Sequence, residues 1–262
     1  MIIVMVTMKG FLRDRVLQGI LVAALIFLAI PAVSTLSMRQ VTELSLTLCL
    51  SLASFILLLL AVFLGGVCLW RDVERRYTHS VLTLPLSRPS YLMGRFAGTA
   101  IFLLGTAVLL GLLTVLVVHL VANNYPPDRP VSWGALVAAL GFDTFKCLLL
   151  VAFAVLFSSV STSFFLPVFG TIAIYLVGGA SQQAYDYVIS PAGQVLSPTV
   201  QKFAVALYYI LPNLSAFDLK VHAIYALPLD FHALALTLGY GVLYMAFVLI
   251  AAAAVYSRRQ LG

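Results

Sequence analysis

Two charged residues stand inside an apolar run, Asp143 and Lys146 in the stretch GFDTFKCLLL. Three residues apart, they share one face of a helix. A carboxylate beside an ammonium in such a run either lines a route for polar cargo or a contact between membrane domains, or neutralises its neighbour and packs its helix. A lone charge at that depth costs at least about 2.5–3.5 kcal/mol, so both side chains are expected to face protein, water or each other. Acids gather at one other place, Asp72 and Glu74, at the head of DVERRYTHSVLTLPLSRPSYLMGR, residues 72–95. As a metal-binding pair they would suit an enzyme acting on lipids or isoprenoids, but five arginines beside them make a poor cation site.

Other reactive constellations are missing from the sequence. It has no GxxxxGK[ST] loop to cradle phosphates, no HExxH and no GxSxG. His79, His119, His222 and His232 are scattered, and Cys49, Cys68 and Cys147 lie in apolar runs without metal-ligand spacing. No catalytic, cofactor or metal site is read from the chain.

The elements that carry these residues are membrane helices. Of 262 residues, 63% are hydrophobic and 9% charged, against about 25% charged in soluble domains. Apolar runs exceed the roughly 20 residues that cross a bilayer as helix, and the ten-residue alternation of a membrane barrel is absent. The expectation is an all-α polytopic protein, one domain over residues 1–262, with six spans near 16–34, 44–70, 96–122, 134–160, 164–180 and 232–256. Pro31 marks the end of the first span, and Pro167 makes the start of the fifth irregular. The opening MIIVMVTMKGFLRDR suits a helix lying in the membrane interface. It lacks a basic n-region, so insertion is expected to be directed by the first span rather than by a cleaved signal.

The net charge of +6 sits in short flanks of the spans, which orients the protein and does not indicate a nucleic-acid partner. Ten Lys and Arg fall at the first flank, in residues 71–95 between the second and third spans and at the last flank, and four on the other side. Both termini are therefore expected in the cytoplasm. A long outer stretch, 181–231, contains FAVALYYIL (203–211), too short to cross. It is a helix re-entering or lying on the outer leaflet, or a packed external cap.

The 72–95 loop is longer than a connection requires. Pro85 and Pro89 predict a short helix over about 72–83, a rigid turn and return to the membrane at Tyr91. By physics alone this is either a solvated orienting loop or a protrusion that meets a partner protein.

The stretch Asp72–Gly98 resembles the first cytoplasmic loop of six-helix ABC exporter permeases of the second type, in particular those of nitrous-oxide-reductase maturation and gliding-motility transporters. That family shows a pair of acids, a Thr, a Leu, Pro-Val-Ser-Arg and then Gly-Lys. Here stand Asp72 and Glu74, Tyr77, Leu82, PLSR at Pro85–Arg88, and Gly94-Arg95. FLRDRVLQGIL (11–21), YYILPNLSAFDLK and YSRRQLG resemble the family's beginning and ending, so the likeness runs nearly end to end. Tyr77 departs from Thr, while Asp72 and Arg95 keep the charge of the usual Glu and Lys.

The resemblance implies a coupling helix between spans two and three that seats on a cytoplasmic ATPase. Its contact residues would be Asp72, Glu74, Arg75, Arg76, Tyr77, Leu82, Pro85, Ser87 and Arg88, with the SSVSTS turn (158–163) a weaker second contact. It further implies an inner-membrane location, two copies of the ATPase holding ATP and Mg, and a second permease chain, identical or related. An outer gate would include Tyr208, Tyr209, Pro212, Asn213 and Phe217. An external accessory protein and the substrate stay open. The alternative is a non-transporting anchor or assembly protein that recruits a soluble partner through its basic loop.

Overall fold

The structure, a computed structural model, describes residues 2–13, 16–36, 40–74, 88–127, 130–161, 163–191, 193 and 197–258. Among these there is no strand. Among the described residues α-helices follow one another in the order α1 (Ile2–Arg13), α2 (Val16–Ser34), α3 (Val41–Glu74), α4 (Arg88–Asn124), α5 (Trp133–Val160), α6 (Phe165–Ile189), α7 (Pro198–Ile210), α8 (Lys220–Ile224) and α9 (Phe231–Arg258), with a 3-10 turn at Ser215–Phe217 between α7 and α8. Among the described residues five helices, α3, α4, α5, α6 and α9, are long and apolar enough to cross a membrane, and α2 is a shorter apolar helix.

The hub is α5, which packs against α3, α4, α6 and α9. Its run Leu149, Leu150, Val151 and Ala152 is fully buried. Apolar side chains alone do not select their neighbours in lipid, so close packing and polar ties must hold such a bundle together. Between α3 and α5 both occur. Gly65 admits Ala154 and Val151 at contact distance, and the Ser158 hydroxyl donates to the Gly66 carbonyl at 3.4 Å. At the opposite end, Thr42 donates to the Tyr125 carbonyl at 2.8 Å, fastening the start of α3 to the end of α4.

Helix α1 turns its buried Thr7 and Phe11 toward α4. A β-carbon at Gly98 would stand 2.7 Å from Thr7 Cβ, so only glycine lets the two backbones approach this closely. Arg95 adds polar grip: its Nη1 donates to Thr7 Oγ1 and its Nε to the Tyr91 hydroxyl, each at 3.2 Å.

Several helix limits differ from expectation, for local reasons. Helix α4 begins at Arg88, eight residues ahead of the expected span, because Pro89 sits in its first turn, where no amide is needed. Pro31 lies inside α2, and the Thr35 amide still reaches its carbonyl at 3.3 Å. Pro167 likewise falls in the first turn of α6 and leaves it regular. Helix α6 runs on to Ile189, nine residues past the expected end. Its polar turn is satisfied locally: Ser181 donates to the Gly178 carbonyl at 2.9 Å and Gln182 to Asp186 at 2.9 Å. Between α5 and α6 the serines cap each other's backbone, Ser161 with Ser163 and Ser163 with the Phe165 amide.

Candidate functional site

Asp143 and Lys146 do form an ion pair, Nζ to Oδ1 at 2.5 Å, with 6% of the lysine and 8% of the aspartate side chain exposed. The same carboxylate oxygen accepts a 2.8 Å hydrogen bond from Ser54 Oγ on α3. Two donors thus converge on Oδ1, one ionic and one neutral, and tie α3 to α5 at the depth of the pair. Sequence reasoning did not find Ser54. Nothing distinguishes one serine in a leucine-rich helix until the fold brings residue 143 to it. Charge balance within the triad lets it sit among apolar neighbours, since a buried charge is tolerated when it is both paired and hydrogen-bonded.

Next to this triad the chain does something the helices do not. After α7, residues 211–219 fold in between α5, α6 and α9. Phe217 is fully buried, stacked on Phe145 at 5.7 Å and Tyr240 at 6.5 Å, and close to Phe142 at 6.4 Å. Phe142 and Phe145 each immediately precede a member of the ion pair. Three helices agree on how far in this tip lies. Counted from Trp133, Ile189 and Phe231, the residues Phe142, Gly178 and Gly241 lie about 14, 17 and 15 Å along their axes.

Non-helical backbone among such helices must find partners, and here it does. The Leu214 amide donates to the Gly178 carbonyl at 3.0 Å, the Asn213 amide to the Tyr240 hydroxyl at 3.1 Å, and the Asp218 amide to the Ser215 carbonyl at 3.0 Å. Asn213 Nδ2 also donates to Gln182 at 2.7 Å, and the Tyr244 hydroxyl to the Ile210 carbonyl at 2.7 Å. The approach is too close for side chains at two positions. A β-carbon at 178 would stand 2.7 Å from the Pro212 carbonyl oxygen, and one at 241 would collide with Phe145 and stand 2.8 Å from Phe217 Cζ.

The residues expected to form a gate therefore separate into two groups. Pro212, Asn213 and Phe217 belong to the inserted segment. Tyr208 and Tyr209 remain on α7, where Tyr208 stacks on Tyr185 at 4.2 Å and Tyr209 is 72% exposed. The apolar piece 203–211 is expected either to re-enter the membrane, to lie on the outer leaflet or to form a packed external cap. As α7 it buries none of its residues and packs along α6, and the insertion is made by the LPNLSAF that follows. The reason is length: short apolar helices cannot bury a whole circumference, whereas a 3-10 turn carrying one phenylalanine fits between three helices.

Of the residues assigned to the 72–95 loop, Asp72 and Glu74 lie in the last turn of α3 and Arg88 opens α4. Arg75, Arg76, Tyr77, Leu82, Pro85 and Ser87 lie outside the described residues. Helix α3 stays unbroken past Trp70, through Arg71 and both acids. Among the described residues no group of three His, Cys, Asp or Glu side chains is placed to hold a metal. No family model matches this chain, and no curated protein matches it.

Proposed function

We propose that the chain is a membrane-spanning permease subunit of an ATP-driven ABC exporter, working as a dimer with a second permease chain and driven by two copies of a separate cytoplasmic ATPase. In this reading α2 joins the five long helices as a sixth crossing. Its 19 residues give about 28 Å of helix, close to the thickness of the hydrocarbon core. The basic flanks put both termini and the 72–95 loop on the cytoplasmic side of the inner membrane.

The observation that carries the reading is α3. One unbroken helix holds Asp72 and Glu74 at its loop end and, about 27 Å along its axis, Ser54, which grips the buried carboxylate of α5. A motor that moved the loop end of α3 would work directly on the Ser54–Asp143 contact. Beside that contact rests the inserted 211–219 segment, which in this account is the outward gate. ATP binding closes the two ATPases, the loop shifts α3, and the gate parts from α5 and α9.

The sequence resemblance supplies the ATPase partner. The absence of a P-loop accords with ATP and Mg being held there and not in this chain. The test is replacement of Asp72, Glu74 and Arg88 by alanine. Loss of ATPase association with normal accumulation of the chain is expected. Intact complexes that turn over ATP at the native rate would refute the coupling role.

A further inference from the structure

Between α2 and α3 runs an apolar groove of about 350 Å³. Its outer walls are exposed side chains, Val22 and Ile26 on α2 and Phe55, Leu59 and Phe63 on α3. On α3 it extends from Leu52 to Leu64, about 18 Å along the axis, close to the hydrocarbon depth of one leaflet, about 15 Å. A β-carbon at Gly19, near the Leu64 end, would meet nothing within 4 Å, so no part of the chain fills the groove there.

The two ends differ in charge. At one, Ile20 and Leu64 pack with Phe11 of α1 and Phe102 of α4, the two rings 5.3 Å apart. Phe11 thereby brings the last turn of α1 to this end. Lys9, two residues earlier, is exposed, Arg13 closes α1, and Arg71 stands about 10 Å past Leu64 along α3. Asp72 and Glu74 come after Arg71, further from the groove. Over residues 1–18 the side chains carry Lys9, Arg13 and Arg15 against Asp14, a balance of +2. Beyond Ile26 and Leu52, at the other end, the nearest charges in sequence are Arg39 and Glu43.

We propose that this groove holds one acyl chain of an anionic phospholipid, with the headgroup at the end marked by Lys9 and Arg13. A volume of about 350 Å³ spread over about 18 Å leaves a cross-section of about 20 Å². That is the girth of a single hydrocarbon chain, and far less than a helix 10–12 Å wide would need. Apolar contact gives a lipid tail little preference for protein over other tails, so selection falls to shape and to the headgroup charge. The proposal rests on α2 lying in the membrane, and not on what the chain carries or which protein drives it.

The experiment offers the full chain, in mild detergent, phosphatidylglycerol or phosphatidylcholine with identical tails, and counts bound lipids by native mass spectrometry. The first phosphatidylglycerol is expected to bind at least about tenfold more tightly than the first phosphatidylcholine. Gly19→Leu puts a side chain into the groove and should weaken the first binding of both lipids about tenfold or more. Gly239→Leu, on α9 with equally open space at its β-position, should change neither. Lys9→Gln, an exposed change that leaves the groove intact, should weaken phosphatidylglycerol alone, about fivefold. Equal affinity for the two lipids in the native chain, or unchanged phosphatidylglycerol binding in Gly19→Leu or in Lys9→Gln, would overturn the proposal. So would a dimer that retains no lipid and that Gly19→Leu dissociates, since a second copy would then cover the groove.

Discussion

Ser54 on α3 and Asp143 on α5, 89 residues apart in the chain, are joined by a buried 2.8 Å hydrogen bond whose acceptor oxygen also holds Lys146. One oxygen therefore carries the tie between two long helices and the neutralisation of a buried cation. The three residues should consequently not be equivalent under mutation.

Asp143→Ala leaves Lys146 buried and unpaired, and the expected loss is about 3–5 kcal/mol of stability. Ser54→Ala keeps the ion pair and removes one charge-assisted bond, worth about 1.5–3 kcal/mol. Asp143→Asn combined with Lys146→Met should recover most of the loss seen with Asp143→Ala. Thermal unfolding of the purified variants in lipid discs gives the order. If Asp143→Ala is the mildest of the three, the pair is not buried as described.

Two glycines on α9, two residues apart, make a matched pair for the inserted segment. A β-carbon at Gly241 would collide with Phe145 and Phe217, whereas one at Gly239 meets nothing within 4 Å. Gly241→Ala should cost about 1–3 kcal/mol by overpacking and loosen residues 211–219. Gly239→Ala should cost nothing. Unfolding midpoints for the two variants check this, and equal effects would mean that Phe217 does not seat against α9.

Gly98 tests how α1 is held. Gly98→Leu should push α1 off α4 by displacing Thr7, and make the amides of residues 3–11 exchange at least about tenfold faster. Gly105→Leu, further along α4 with open space at its β-position, should leave α1 protected. Unchanged exchange in the first variant would contradict the packing of α1 on α4.

Ala226 adopts φ 51° at the end of α8, where the Leu227 amide reaches back to the His222 carbonyl at 3.0 Å. This is the left-handed helix stop usually made by glycine. Ala226→Gly should therefore stabilise the chain, by up to about 1 kcal/mol once the added freedom of the unfolded chain is counted. A lowered unfolding temperature for this variant would show that the turn is not the one described.

The long helices were legible because hydropathy and length report membrane crossings directly. Helix α5 starts at Trp133 and α9 at Phe231, each within one residue of the position read from the sequence. Helix α6 was read short because its last turns carry Ser181, Gln182 and Gln183, and hydropathy cannot know that Asn213 and Asp186 will satisfy such groups. Asp143 and Lys146 stood out by charge alone. Their third partner did not, since a serine bonds wherever the fold brings an acceptor. The most apolar outer piece suggested an element entering or lying on the outer leaflet, yet what decides insertion is a fit: a phenylalanine tip, a glycine on α9 to receive it and an α6 carbonyl at Gly178 that accepts the Leu214 amide as well as the Ser181 hydroxyl. Those matches are between residues far apart in sequence, and no local pattern announces them.

The central claim is that a soluble motor grips this membrane chain through the loop end of α3. Purification of the tagged full chain from its native membrane, with mass spectrometry of what co-elutes, tests it most directly. The account predicts a stoichiometric soluble ATPase with a P-loop, lost when Asp72, Glu74 and Arg88 are replaced by alanine. A chain that purifies without any ATPase, in mild detergent and again in lipid discs, would contradict it.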